Sequence, residues 1–118
     1  MPERLHFLYV CYANMDRSPT AEAVCTRIAR ENNLDIVASS AGVSRGARRP
    51  VTKEIADLAD KIFVMEPGMV AEMEGEYGQN PAKIICLDIL DVYHQNDPTL
   101  VQGLEAKLYE YLACEELI

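Results

Sequence analysis

Four short apolar runs, Leu5 to Val10, Ile36 to Ser39, Lys61 to Met65 and Lys83 to Leu87, constrain the fold of this chain more than any other feature. Each has the length of a strand. They are nearly continuous in Val, Ile, Leu, Phe and Tyr instead of alternating with polar residues, which predicts strands buried on both faces, as in a parallel sheet. Helical patterns follow them over Pro19 to Asn32, Val51 to Ala59, Met69 to Glu76 and Thr99 to Leu112. The resulting βαβαβαβα order predicts right-handed crossovers and a three-layer α/β sandwich, with ligands bound beyond the carboxyl ends of the strands. At 118 residues the expectation is one domain spanning 1–118.

Local signals sharpen the boundaries. Ser18 before Pro19 predicts an N-cap followed by proline at the first helical position, with Glu22 in the first turn. Asp97-Pro98 offers the same pairing ahead of the last helix, whose Leu100, Leu104, Leu108 and Leu112 form one apolar stripe. The segment Val43 to Pro50 has no periodicity and two helix breakers, so it is expected as a loop after the second strand.

Charge and cysteine usage exclude several functions. Eleven basic against nineteen acidic side chains give a net charge of −8, which argues against nucleic-acid binding, a process that draws its affinity from phosphate neutralisation. An anionic substrate would be repelled by the whole molecule, so local positive charge must capture it. Arg45, Arg48 and Arg49 in the Val43 to Pro50 loop are candidates for such a local counterweight. Cys11, Cys25, Cys86 and Cys114 lack paired C-x-x-C spacing, and His6 and His94 are isolated, so no metal site is expected. The first apolar run is too short to span a bilayer and lacks the features of a secretory signal. The expected compartment is the cytoplasm, with no membrane partner and the cysteines kept as thiols.

The chemistry concentrates in Phe7-Leu8-Tyr9-Val10-Cys11-Tyr12-Ala13-Asn14-Met15-Asp16-Arg17-Ser18-Pro19-Thr20-Ala21-Glu22. A strand delivers a cysteine to the carboxyl edge of the sheet, five residues intervene, and Arg17 and Ser18 open a helix. A loop of that length wraps an anion, with its backbone N–H groups turned inward and the helix dipole adding positive potential. The same field favours a thiolate at Cys11, and the planar fork of Arg17 holds two phosphoryl oxygens at once. Thiolate, bidentate cation and a nearby carboxylic acid form a sufficient set for phosphoryl transfer without metal or other cofactor.

Cys-x5-Arg-Ser-Pro-x-Ala-Glu resembles the phosphate-binding loop of the low-molecular-weight protein tyrosine phosphatases. Ser40-Ala41-Gly42 is similar to the turn after that family's second strand, and Val64-Met65-Glu66 to its third-strand Val-Met-Asp. Asp88-Ile89-Leu90-Asp91-Val92-Tyr93 resembles its Asp-Ile-Pro-Asp-Pro-Tyr acid loop. The resemblance implies a four-stranded parallel sheet of flavodoxin-like order 2-1-3-4. It implies Cys11 as nucleophile, Arg17 as transition-state clamp, and Asp91 as proton donor, with Asp88 as the rival for that last role. Asn14 would hold a left-handed turn, Ser18 would donate to the sulfur, and Ser40 would support the loop. Tyr12, Ala13, Asn14, Met15, Asp16, Ser18 and Tyr93 would line the substrate site. The implied reaction hydrolyses an aryl phosphate, such as phosphotyrosine on a protein or in a small molecule, through a phosphocysteine. Inorganic phosphate or another oxyanion would occupy the same loop.

The chain departs from the pattern at four places. Ala13 replaces the loop's usual glycine, Asp16 its second cysteine, and Val92 the proline of the acid loop; Gly46-Ala47-Arg48 lacks a histidine that some relatives carry there. Asp16 sets a carboxylate beside an anion site, where its charge opposes thiolate and phosphate unless it points away. That residue also keeps a non-catalytic phosphate- or phosphoprotein-binding module open as an alternative. An arsenate reductase would need relay cysteines, and only Cys86 is in range of the third strand. A phosphocysteine carrier resembles a loop without Arg17.

Overall fold

The computed structural model describes residues 4–118. Strands β1 (Leu5–Cys11), β2 (Ile36–Gly42), β3 (Lys61–Val64) and β4 (Ile84–Cys86) form one parallel sheet of order β2-β1-β3-β4. Helices α1 (Arg17–Glu31), α2 (Lys53–Leu58), α3 (Pro67–Gly75) and α4 (Pro98–Cys114) connect and cover them. The α/β sandwich and strand order match the sequence expectation. Because β1 lies between β2 and β3, its chain leaves toward β2 while the next crossover returns to β3. The end of β1 is therefore the topological switch point, where an open α/β sheet binds its ligand.

Burial explains why these segments become strands. Phe7 to Cys11 and Ile62 to Met65 are all buried, as unbroken apolar runs in central parallel strands must be. The expectation of two-face burial fails for both edge strands: in β4 Ile84 and Ile85 are half-buried and Cys86 is exposed, and in β2 Ile36, Ala38 and Ser39 are half-buried and Val37 is exposed. Each has a neighbouring strand on one side only, β3 for β4 and β1 for β2. Helices α1 and α4 pack against one another on one face of the sheet. There Phe7, Tyr9 and Phe63 form an aromatic cluster closed by Tyr111 of α4, with Tyr9 and Phe63 stacked at 4.9 Å between ring centroids. Leu100, Leu104, Leu108 and Leu112 are buried as the α4 stripe requires, and Asp97 caps that helix by accepting from the N–H of Thr99.

One boundary is corrected. Ser18 is not an N-cap: α1 begins at Arg17, and the cap position falls on Asp16, whose side chain makes no capping bond. The hydroxyl of Ser18 is committed elsewhere, to the cysteine loop described below. The buried thiol of Cys25 on α1 lies against the Tyr9 phenol. Burial pushes that thiol up from its ordinary value and outweighs the lowering by the neighbouring Tyr9 hydroxyl, so Cys25 is held in its neutral form. Among the described residues, no helix is long and apolar enough to cross a membrane, and no cluster of His, Cys, Asp and Glu is placed to hold a metal.

Gly42 at the end of β2 is required by close approach. A Cβ there would stand 2.6 Å from the Tyr12 carbonyl oxygen, 2.8 Å from the Asn14 nitrogen and 2.7 Å from the Ala47 Cβ. Two of these atoms belong to the backbone and cannot swing aside. Gly42→Ala is expected to destabilise the protein by about 1–3 kcal/mol, the ordinary cost of overpacking, and to weaken phosphate binding further by displacing Tyr12 and Asn14. Denaturant unfolding with and without inorganic phosphate measures both effects; unchanged stability would show that the loop can move away.

Candidate active site

Residues 12 to 16 connect β1 to α1 in a loop shaped by its neighbour, the β2–α2 connection. The N–H groups of Val43, Ser44 and Arg48 donate to the carbonyls of Cys11, Tyr12 and Ala13 at 3.0, 2.9 and 3.0 Å. Pulling these carbonyls outward turns the opposite ends of the same planar trans peptides inward. Those ends are the N–H groups of Tyr12, Ala13 and Asn14. Asn14 sits at φ 55°, in the left-handed region that asparagine tolerates, and its N–H reaches the Cys11 sulfur at 3.2 Å. Among the described residues, the N–H groups of Tyr12, Ala13, Met15, Asp16 and Arg17 donate to no protein acceptor. Together with the start of α1 they form an anion nest. Ala13 is not a positive-φ residue, which is why alanine fits where a glycine is usual.

The cysteine is held from beneath. Its sulfur lies 3.0 Å from the Ser18 hydroxyl. Asn14 Nδ2 donates to that same hydroxyl at 2.9 Å, leaving the serine's one proton to go to the sulfur or to the Ala41 carbonyl at 3.3 Å. An N–H and a hydroxyl directed at one sulfur stabilise negative charge on it. Ser40 stands further back: it is buried, and its hydroxyl donates to Glu22 at 2.6 Å, tying β2 to the first turns of α1.

Arg17 is 1% exposed, a cation buried at the floor of the site. Its Nη1 donates to the Ile89 carbonyl and its Nη2 to Glu66, both at 2.8 Å. Asp91 lies 3.6 Å from Nε, an ion pair but not a hydrogen bond. Of the five guanidinium donors, Nε–H and one hydrogen on each terminal nitrogen remain uncommitted, and the Nε–Nη2 edge suits two oxygens of one oxyanion. Glu66 at the end of β3 and the Ile89 carbonyl are contacts that no local motif announces. A strand-end carboxylate after Val64-Met65 is the one sequence signal for the first, and a backbone acceptor leaves none.

Cys11, Tyr12, Ala13, Met15, Asp16, Arg17 and Asp91 line a single pocket of about 90 Å³. Of the two candidate acids, Asp91 is in this pocket. Asp88 is not: it adopts φ 54° and lines a separate groove with Tyr93, Thr99, Leu100 and Lys107. Tyr93 therefore leaves the expected set, because it packs half-buried against the core instead of facing Cys11. Asn14 and Ser18 are buried behind the loop and act through Cys11. Asp16 is half turned away, its Oδ1 accepting from the Gln95 N–H at 3.0 Å. Arg45, Arg48 and Arg49 are exposed around the β2–α2 connection and line none of this pocket.

Fold and site together define an α/β protein built to hold an oxyanion against a strand-end cysteine. The family model for low molecular weight phosphotyrosine protein phosphatase matches residues 6–99, and the chain belongs to that family of cysteine-dependent phosphatases. No curated protein sequence matches it. Solved structures share the fold. YfkJ from Bacillus subtilis is 22% identical, with a TM-score of 0.77 over 98% of this chain and 96% of its own. YwlE of Bacillus subtilis, an arginine phosphatase determined as a mutant with a phosphorylated active-site serine, is 22% identical, with a TM-score of 0.73 over 92% and 96%. The tyrosine phosphatase Wzb from Escherichia coli K30, determined with phosphate, is 20% identical, with a TM-score of 0.74 over 92% and 96%.

Arg17→Lys keeps the charge and loses the fork. It is expected to lower the rate of phosphoryl transfer on the order of 10³-fold, the scale on which an arginine clamp acts. Steady-state kinetics with an aryl phosphate measure the loss. Near-normal activity would show that a point charge suffices at this position.

Proposed function

We propose that the protein hydrolyses aryl phosphates, phosphotyrosine in particular, through a phosphocysteine on Cys11. The observation that carries this is the convergence of the Cys11 sulfur, the uncommitted edge of Arg17 and the Asp91 carboxyl on one pocket. The thiolate attacks phosphorus and an S–P bond forms. The bond from phosphorus to the phenolic oxygen breaks as protonated Asp91 gives that oxygen its proton. The inward N–H groups and Arg17 stabilise the equatorial oxygens throughout. Water then attacks phosphorus, the Asp91 carboxylate takes its proton, and the S–P bond breaks to release phosphate and the thiolate.

Exposed apolar side chains favour an aryl leaving group. Tyr12 and Met15 are 59% and 58% exposed on the pocket wall. Such side chains offer flat and flexible surface for a ring. A second substrate class, phosphoarginine, is favoured by a different observation: the pocket wall carries the carboxylates of Asp16 and Asp91, which suit a cationic leaving group. YwlE, an arginine phosphatase, shares the fold. We place phosphotyrosine first because the exposed apolar surface outweighs two carboxylates that already have partners. The phosphorylated partner is a protein or a small aryl phosphate, and the free thiols fit a reducing cytoplasm.

Cys11→Ser is expected to abolish turnover while preserving phosphate binding, because serine fills nearly the same space but its hydroxyl is a far weaker nucleophile than a cysteine sulfur. Turnover near the parent level would remove Cys11 from its role, and parallel assays with phosphotyrosine and phosphoarginine rank the two substrates. Asp91→Asn is expected to slow phosphotyrosine hydrolysis by ~10²- to 10⁴-fold and a nitrophenyl ester much less, since an activated phenolate leaves without a proton. Equal losses on both substrates would instead assign Asp91 a structural part.

A further inference from the structure

The residue that fits the family pattern least is Asp16, and its contacts give it a use. The eleven residues from Leu87 to Asp97, between β4 and α4, contain no helix or strand and carry Asp91 at their centre. Their early part is fixed by sheet-like bonds: the Leu87 and Ile89 N–H groups donate to the Val64 and Met65 carbonyls, and the Ile89 carbonyl accepts from Arg17. Their late part is fixed at the start of α1. The Gln95 N–H donates to Asp16 Oδ1 at 3.0 Å, and the Asn96 N–H donates to Thr20 Oγ1 at 2.9 Å. Thr20 itself donates to the Asp16 carbonyl at 2.7 Å, so both bonds converge on one residue of the phosphate loop. Between these anchors Leu90, Asp91 and Val92 are exposed, and the described side-chain contact of Asp91 is its ion pair with Arg17.

We propose that Asp16 is a positioning residue, its carboxylate fastening the loop that carries Asp91 to the phosphate loop so that acid and sulfur face the same phosphoryl group. This rests on Asp91 as the general acid. The carboxylate's negative charge works against the oxyanion, whereas its Oδ1 acceptor works for proton transfer, and the proposal is that the acceptor dominates for substrates that need a proton. A cysteine at this position would accept only weakly from an N–H, so the exchange of cysteine for aspartate creates the fastening.

Asp16→Ala and Asp16→Asn, each alone and combined with Asp91→Asn, separate the acceptor from the charge. The readout is the ratio of kcat/KM for phosphotyrosine to that for nitrophenyl phosphate, with the inhibition constant of inorganic phosphate measured beside it. Asp16→Ala is expected to lower the ratio on the order of 10- to 100-fold, as small displacements of a catalytic group do. Asp16→Asn keeps an oxygen for Gln95 and is expected to restore most of that loss, even though it lacks the charge. In the Asp91→Asn background Asp16→Ala should leave the ratio where Asp91→Asn puts it. A ratio unmoved by Asp16→Ala, or a loss equally large in that background, overturns the proposal while Asp91→Asn alone still shows its leaving-group dependence. If Asp91→Asn alone shows none, the acid assignment fails and this inference with it.

Discussion

The buried guanidinium of Arg17 is the constraint to which the rest of this structure answers. A cation 1% exposed, at the positive end of a helix, stands where both desolvation and the helix dipole oppose it. It is tolerated because Glu66 comes from the end of β3, the Ile89 carbonyl from the segment after β4, and Asp91 from two residues beyond. Two separate stretches of chain thus converge on one side chain, and the sheet brings them together at the carboxyl edge. Glu66 is itself about half exposed, so water screens much of that ion pair, and the geometry it enforces matters more than its energy. In a chain with a net charge of −8, this cation and the inward N–H groups supply the local attraction an oxyanion needs.

The β2–α2 connection has the complementary task. It contributes no side chain to the pocket wall, yet by drawing three carbonyls outward it decides which way the phosphate loop's amides face. Gly42 lets the two loops approach, and Ala47 fills the space beside it. Three exposed arginines protrude from the same connection, and none of them lines the pocket.

Most of the architecture was legible because it depends on local patterns. Unbroken apolar runs gave the parallel strands, and Cys11 followed by Arg17-Ser18-Pro19 gave a strand-to-helix anion loop. The failures came where a residue's local preference lost to a distant partner. Ser18 reads as a cap, but its hydroxyl is taken by Cys11, Asn14 and Ala41, and the helix starts two residues earlier. β2 and β4 read as buried like β1 and β3, but nothing in a run of apolar residues distinguishes an edge strand from a central one. Tyr93 reads as a site aromatic two residues from Asp91; it packs half-buried against the core and lines a separate groove with Asp88 instead. The Ile89 carbonyl on Arg17 and the Gln95 N–H on Asp16 were illegible for a simpler reason, since backbone groups far along the chain have no letter in the sequence.

That last point bears on how such a protein can diversify. The segment from Leu87 to Asn96 is attached through its own main chain: N–H groups of Leu87, Ile89, Gln95 and Asn96, and the carbonyl of Ile89. Every residue except proline supplies these donors, and the side chains that do anchor the segment are Leu87 and Ile89, buried in the core, with Tyr93 packed against it, so the attachment does not depend on what stands at the exposed positions 90 and 92. Leu90 and Val92 can therefore drift freely beside a fixed Asp91. Partner choice becomes a trait that mutation can explore one exposed position at a time, while the chemistry beneath it stays put.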